Sequence, residues 1–164
     1  MKMSNYEAIK MVKQLTSEKE ELQISEKVNS IVVYSADETP PKSNYSFEDT
    51  RAQIEAIDKK IRTIKFALAK ANTTVLLPNF DITIGEGLVM MAQLQEELRQ
   101  ISPLVTYENH SSSYNVSTGT LKYTDTLYDV ETVRAKKKEL YDMITKLQTA
   151  IDKVNINYEF DINI

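Results

Sequence analysis

The single histidine is the first residue at which chemistry could be sought. His110 lies in the stretch TYENHSSSYN, with Glu108 before it and Ser111 to Ser113 after it. A hydrolytic triad needs a base oriented by a third group and a nucleophile held at a fixed position. A polar loop provides neither, and no second histidine or spaced carboxylate cluster offers metal ligands. The sequence therefore predicts a solvated loop histidine, with no catalytic, cofactor or metal site.

Other kinds of catalytic chemistry are disfavoured by composition. The chain has no cysteine, which excludes thiolate catalysis, a disulfide framework and Cys-ligated metal. It has no glycine-rich phosphate loop, dinucleotide fingerprint or zinc-ligand spacing. We therefore expect that the protein is not an enzyme.

Basic residues form two runs that could contact phosphate groups. One run lies on the second predicted helix and the other on the fourth: Lys59, Lys60, Arg62, Lys65 and Lys70, then Arg134, Lys136, Lys137 and Lys138. Helical spacing spreads each set around its helix, and Glu18, Glu20 and Glu21 offer ion-pair partners on the first helix. The net charge of −4 gives no overall attraction to polyanions. We expect solvated faces and interhelical ion pairs, and no bound nucleic acid.

Tyrosine is the residue type that most suggests binding. The chain has 9 tyrosines, and five lie at or near predicted strands: Tyr107, Tyr114, Tyr123, Tyr128 and Tyr158. A tyrosine ring can be buried while its hydroxyl keeps a polar contact, which suits interfaces. These five form a candidate interface, and the alternative is that their rings simply cover a small sheet.

Four long amphipathic helices are predicted to position these residues. They span residues of about 5–33, 47–71, 84–102 and 130–154. Ser4 with Glu7, and Thr83 with Glu86, have the spacing of capping boxes. From Phe47 onward, apolar residues of the second helix follow the a and d positions of a coiled coil over about three heptads.

These apolar stripes predict an antiparallel helical bundle within a single domain, residues 1–164. Apolar residues of the second and fourth helices are expected to be buried together: Ile57, Ile61, Ile64, Leu140, Ile144, Leu147 and Ile151. Gly85 and Gly87, in the first turn of the third helix, would allow another backbone to approach closely.

A small antiparallel β-sheet is predicted beside the helices, which makes the fold mainly α. Alternating residues on both sides of Ser117-Thr118-Gly119 predict a β-hairpin at about 113–124, between the third and fourth helices. The ending NINYEFDINI predicts a strand at about 156–163. This strand is expected to join the hairpin or to pair with VLLPNF, and a partner subunit is the other option.

Three stretches cover most of the chain after residue 50: RAQIEAIDKKIRTIKFALAKANTTVLL, ITIGEGLVMMAQLQEELRQI and LKYTDTLYDVETVRAKKKELYDMITKLQTAIDKVNINYEFDI. Together they resemble the septicolysin-like family of small bacterial proteins. The sequence departs from the family at Met91-Ala92, where relatives often have Arg-Asp, and at Tyr158, where Trp is common. The resemblance implies a fold and a bacterial or phage setting, but no activity. The family name suggests a cytolysin, yet the chain has no Trp to form a membrane-inserting tip.

The sequence favours a non-enzymatic helical protein whose role is assembly or partner binding, most simply as a homo-oligomer. A nucleic-acid-associated accessory protein is the second class, and a membrane-active, cytolysin-like protein is the third. The first 20 residues have no apolar core of signal-peptide length, and no apolar run could span a bilayer. A cytoplasmic location is therefore expected.

Overall fold

The computed structural model describes residues 1–162. This part of the chain is mainly helical, with 64% of it in helices. Its four α-helices are α1 Asn5–Asn29, α2 Phe47–Thr74, α3 Ile84–Ile101 and α4 Val130–Asn157. A 3₁₀ turn, Ser102–Thr106, follows α3 and has Pro103 near its start. The predicted mainly helical class and the four helices are confirmed.

The described strands form two separate antiparallel pairs. β1 Lys2–Ser4 pairs with β4 Glu159–Asp161, and Met3 lies opposite Phe160. β2 His110–Asn115 pairs with β3 Thr120–Asp125. The expectation that the C-terminal strand joins the hairpin or the VLLPNF segment is therefore wrong. It pairs with a three-residue N-terminal strand that is too short to show any alternating pattern.

The C-terminal strand also begins later than its sequence pattern suggests. Ile156 belongs to α4, and the backbone N–H of Tyr158 still donates to the carbonyl of Val154. Helical hydrogen bonding thus continues through residues whose alternation predicted a strand. Asn163, which ends the predicted strand, lies outside the described residues.

Residue contacts divide the chain into two compact units. The first consists of Met1–Thr74 together with the chain from Val154 onward. Here α1 packs against α2. The core of this unit lies between these helices and the β1–β4 pair: Met3, Ala8, Leu15, Ile57, Ile64 and Ile162. The Nζ atom of Lys19 lies 2.7 Å from a carboxylate oxygen of Asp58.

The second unit is Val75–Lys153. Its buried apolar residues come from the loop before α3, from α3 and from α4: Leu77, Ile84, Met91, Val130, Leu140, Leu147, Ala150 and Ile151. A Cβ atom built at Gly87 would lie 2.3 Å from Cδ1 of Leu77. The close approach at Gly87 is thus made by a side chain, whereas the sequence suggested a backbone.

The apolar residues expected to form one core are distributed over both units. Ile57 and Ile64 belong to the core of the first unit, whereas Leu140, Leu147 and Ile151 are buried residues of the second. The prediction of burial is confirmed for these five residues and is wrong for Ile61 and Ile144, which are only half-buried. The antiparallel bundle and the single domain stay predictions.

Candidate interaction surface

The β2–β3 hairpin carries the most distinctive surface of the second unit, and its turn is built by short-range contacts. Gly119 has φ +67°, a conformation that glycine adopts without steric cost. The side-chain oxygen of Asn115 accepts hydrogen bonds from the backbone N–H groups of Ser117 (3.0 Å) and Thr118 (3.3 Å). The N–H of Gly119 donates to the carbonyl of Asn115 (2.9 Å). The turn therefore sets the pairing of the two strands.

The strand register gives the hairpin two chemically different faces. Directly opposed residues share a face, and the face alternates along each strand. One face, here called the aromatic face, carries His110, Ser112, Tyr114, Leu121, Tyr123 and Asp125. The other, the polar face, carries Ser111, Ser113, Asn115, Thr120, Lys122 and Thr124. The hairpin is thus an amphipathic ribbon.

The aromatic face is open to solvent within the described part of the chain. Tyr114 and Tyr123 are each 63% exposed, and Leu121, which lies opposite Tyr114, is 53% exposed. Two-stranded ribbons are marginally stable in water unless an apolar face packs against something. Exposed surfaces rich in tyrosine and leucine are typical of interaction sites.

His110 lies on the aromatic face, so its predicted position in a loop is wrong, whereas its predicted exposure is confirmed. Its Nδ1 atom is 2.5 Å from a carboxylate oxygen of Asp125, and its ring stacks on Tyr123 with 5.6 Å between ring centres. No serine hydroxyl of residues 1–162 hydrogen-bonds to the ring. The pair orients the imidazole but lacks the positioned nucleophile of a triad.

Asn109 anchors the base of the ribbon to the start of α4. Its side-chain oxygen accepts the N–H of Val130 (2.9 Å), and its amide nitrogen donates to Asp129 (3.3 Å). The hydroxyl and N–H of Thr132, and then the Asn109 amide, lower the pKa of the Asp129 carboxyl. Sequence reasoning missed Asn109, whose only sequence signal is its position just before a strand.

The five tyrosines of the candidate interface occupy different settings. Tyr114 and Tyr123 share the aromatic face, and Tyr107, which precedes β2, is exposed. Tyr128 is half-buried, and its hydroxyl donates to the carbonyl of Leu104 (2.9 Å). Tyr158 belongs to the first unit, where its ring centre lies 6.4 Å from that of Phe160.

The basic runs lie on exposed helix surfaces, except that Lys137 of the α4 run is half-buried. All five basic residues of the α2 run are exposed, and none forms a salt bridge with any described residue. The expected partners Glu18, Glu20 and Glu21 form none either, since the α1–α2 pairs join Lys19 to Asp58 and Arg51 to Glu26. On α4, Lys136 lies 3.5 Å from Glu97 of α3.

Residues 1–162 contain neither a cluster of metal ligands nor a helix that could span a membrane. No three His, Asp or Glu side chains in this range converge on a point where a metal ion could be held. No helix there combines the length and apolar character needed to cross a membrane.

Comparison with known proteins identifies a structural relative but no family. No protein-family model and no curated protein matches the sequence, so the septicolysin-like resemblance stays a prediction. A crystal structure of a functionally unknown conserved protein from Corynebacterium diphtheriae matches with a TM-score of 0.61 and 14% sequence identity. The match covers 98% of this chain and 100% of that one. At this identity, the likeness establishes a shared fold alone.

Proposed function

We propose that this protein is a non-enzymatic assembly protein that forms a homo-oligomer, most simply a dimer, through the aromatic face of its hairpin. The observation that carries the proposal is the exposure of that face on a two-stranded ribbon whose other face is polar. A ribbon of this kind gains stability when its apolar face is covered.

The size of the exposed apolar surface suits a second copy of the chain. Each tyrosine exposed by half to two-thirds presents roughly 100–150 Å². On the aromatic face, Tyr114, Tyr123 and Leu121 present roughly 350–400 Å². Tyr107 and the fully exposed Leu127, which flank the two strands in the sequence, present roughly 300 Å² more. A standard interface buries about 800 Å² on each partner.

Charge and symmetry also fit a second copy. His110 and Asp125 are hydrogen-bonded to each other on the aromatic face, so the Asp125 carboxylate keeps a polar partner when two such faces meet. A two-fold interface uses the same patch on both subunits, which requires a surface that is complementary to itself. The opposing polar face, with Lys122 and its serines and threonines, would remain in water.

The mass of the protein in solution tests this proposal. The double variant Tyr114→Ser with Tyr123→Ser removes both rings while keeping residues that strands tolerate. Lys122→Ser on the polar face is the matched control. We expect light scattering to give a mass of about two chains for the parent and the control, and of one chain for the double variant. Circular dichroism should show the same helical content in all three.

Two results would overturn the proposal. One is a parent protein that has the mass of one chain throughout the micromolar range. The other is a double variant that associates as strongly as the parent, because the interface would then lie elsewhere.

A nucleic-acid-associated role is the second candidate, and one feature of α2 favours it. Phe66 is 74% exposed. At 100° per residue, Lys59, Arg62 and Lys70 lie on the same side of the helix as Phe66, so the α2 run is less dispersed than its sequence suggested. Cations around an exposed ring suit the phosphates and bases of a single strand. Salt-dependent binding of single-stranded RNA that Phe66→Ala weakens would support this role.

The remaining proposals rest on the sequence alone. They are a bacterial, cytoplasmic setting, membership of the septicolysin-like family and a coiled-coil seam along α2. A membrane-active role is the third candidate function, and release of dye from liposomes would test it.

A further inference from the structure

A preformed cavity lies in the second unit, apart from the hairpin's aromatic face. It is open to solvent, has a volume of about 500 Å³ and is bounded by the loop before α3 and by one side of α4. Small-molecule sites generally measure roughly 300–1,000 Å³ and are mostly apolar. Here the apolar lining comes from Pro78, Phe80, Met143 and Ala150.

The loop that forms one wall is held in place by its own backbone. The N–H of Leu77 donates to the carbonyl of Ile82 (2.8 Å), and the N–H of Ile84 donates to that of Val75 (2.9 Å). The side chain of Leu77 is only 2% exposed and lies against Gly87. The wall is therefore fixed before any ligand arrives.

Phe80, at the tip of this loop, lies between two residues with left-handed backbone. Asn79 has φ 68° and Asp81 has φ 50°. Asn and Asp are the non-glycine residues that adopt this conformation most readily. Unusual backbone that is held by surrounding contacts is concentrated at ligand sites, and here it fixes the ring beside the cavity.

The charged groups at the cavity are all cationic. Lys146 and Lys153, which are two helical turns apart on α4, line it. No aspartate or glutamate among the described residues lines it. Lys146 makes no ion pair within residues 1–162. The side-chain amide of Asn79 adds a potential hydrogen-bond donor.

We propose that this cavity binds a small organic carboxylate with an apolar body, of the size of one or two aromatic rings or a medium alkyl chain. The apolar body contacts Phe80, Met143 and Ala150, and the carboxylate pairs with Lys146. A polyphosphate or sugar would leave this apolar lining uncovered, whereas an uncharged hydrocarbon would leave the lysine unused.

An NMR titration of the full-length ¹⁵N-labelled protein tests the assignment. The probes are 1-naphthoate and its uncharged analogue 1-naphthamide, which share one ring system and differ in charge. We expect the naphthoate to shift the backbone signals of Phe80, Lys146 and Thr149 and to bind at least about threefold more tightly than the amide.

Two variants separate the role of Lys146 from general charge effects. Lys146→Gln should weaken naphthoate binding by about threefold or more and leave amide binding unchanged. Lys138→Gln, at an exposed position of α4 outside the cavity, should change neither. Shifts that map elsewhere, equal affinity for the two probes, no binding at millimolar concentrations, or equal effects of the two variants would each overturn the proposal.

Discussion

Replacing Gly87 by alanine tests how tightly the loop before α3 is packed. The new Cβ atom would lie 2.3 Å from Cδ1 of Leu77 and 3.6 Å from Cδ1 of Leu147. Ordinary carbon contacts are about 3.5–4.0 Å, so the Leu77 methyl group must retreat by more than about 1 Å. Both leucines are buried, which leaves little space for that movement.

The expected magnitude is the difference between two opposing effects. Overpacking a well-packed core costs about 1–3 kcal/mol. Alanine is about 1 kcal/mol more favourable than glycine inside a helix. We therefore expect Gly87→Ala to lower the free energy of unfolding by up to about 2 kcal/mol.

Urea denaturation followed by circular dichroism provides the assay, and Gly85→Ala is the matched control. Gly85 lies in the same helical turn but about 200° around the axis from Gly87, so alanine there should be neutral or stabilising. In a Leu77→Ala background the clash is absent, and Gly87→Ala should become neutral or stabilising too. The reasoning is refuted if Gly87→Ala stabilises the parent protein as much as Gly85→Ala does.

Three further predictions concern stability. Ile64→Ala, at a fully buried position, should lower the free energy of unfolding by about 2–5 kcal/mol, and Ile61→Ala, at a half-buried position, by clearly less; urea denaturation compares them. Ile162→Ala, at the buried end of the β1–β4 pair, should also cost about 2–5 kcal/mol by the same assay, and a negligible loss would contradict the pairing. Hydrogen bonds from Thr83, first from its N–H and then from its hydroxyl, lower the pKa of the Glu86 carboxyl below its usual 4.5. The stability that these bonds add to the folded state is therefore present above pH 4.5, and it is lost as the pH falls from about 4.5 through the folded-state pKa. Glu86→Gln keeps a capping acceptor but does not titrate, so its stability should decline less over that acid range in denaturation at stepped pH.

The sequence by itself determined the features that depend on residues a few positions apart. Both capping boxes are present, Ser4 with Glu7 and Thr83 with Glu86. Each forms within one turn, so no distant contact is needed to specify it. The alternation on both sides of Gly119 likewise predicted the hairpin, because a turn residue and its flanking strands are neighbours in the chain.

Only the tertiary structure decided what those elements meet. A hydrogen bond from the N–H of Ile162 to the carbonyl of Met1 extends the β1–β4 pair, and nothing in either segment identifies the other. The sequence likewise does not show that the side chain of Leu77 lies against Gly87, or that Tyr114 is exposed. Composition gives a side chain its preference for burial, but whether another surface reaches it depends on contacts between residues that are distant in the chain.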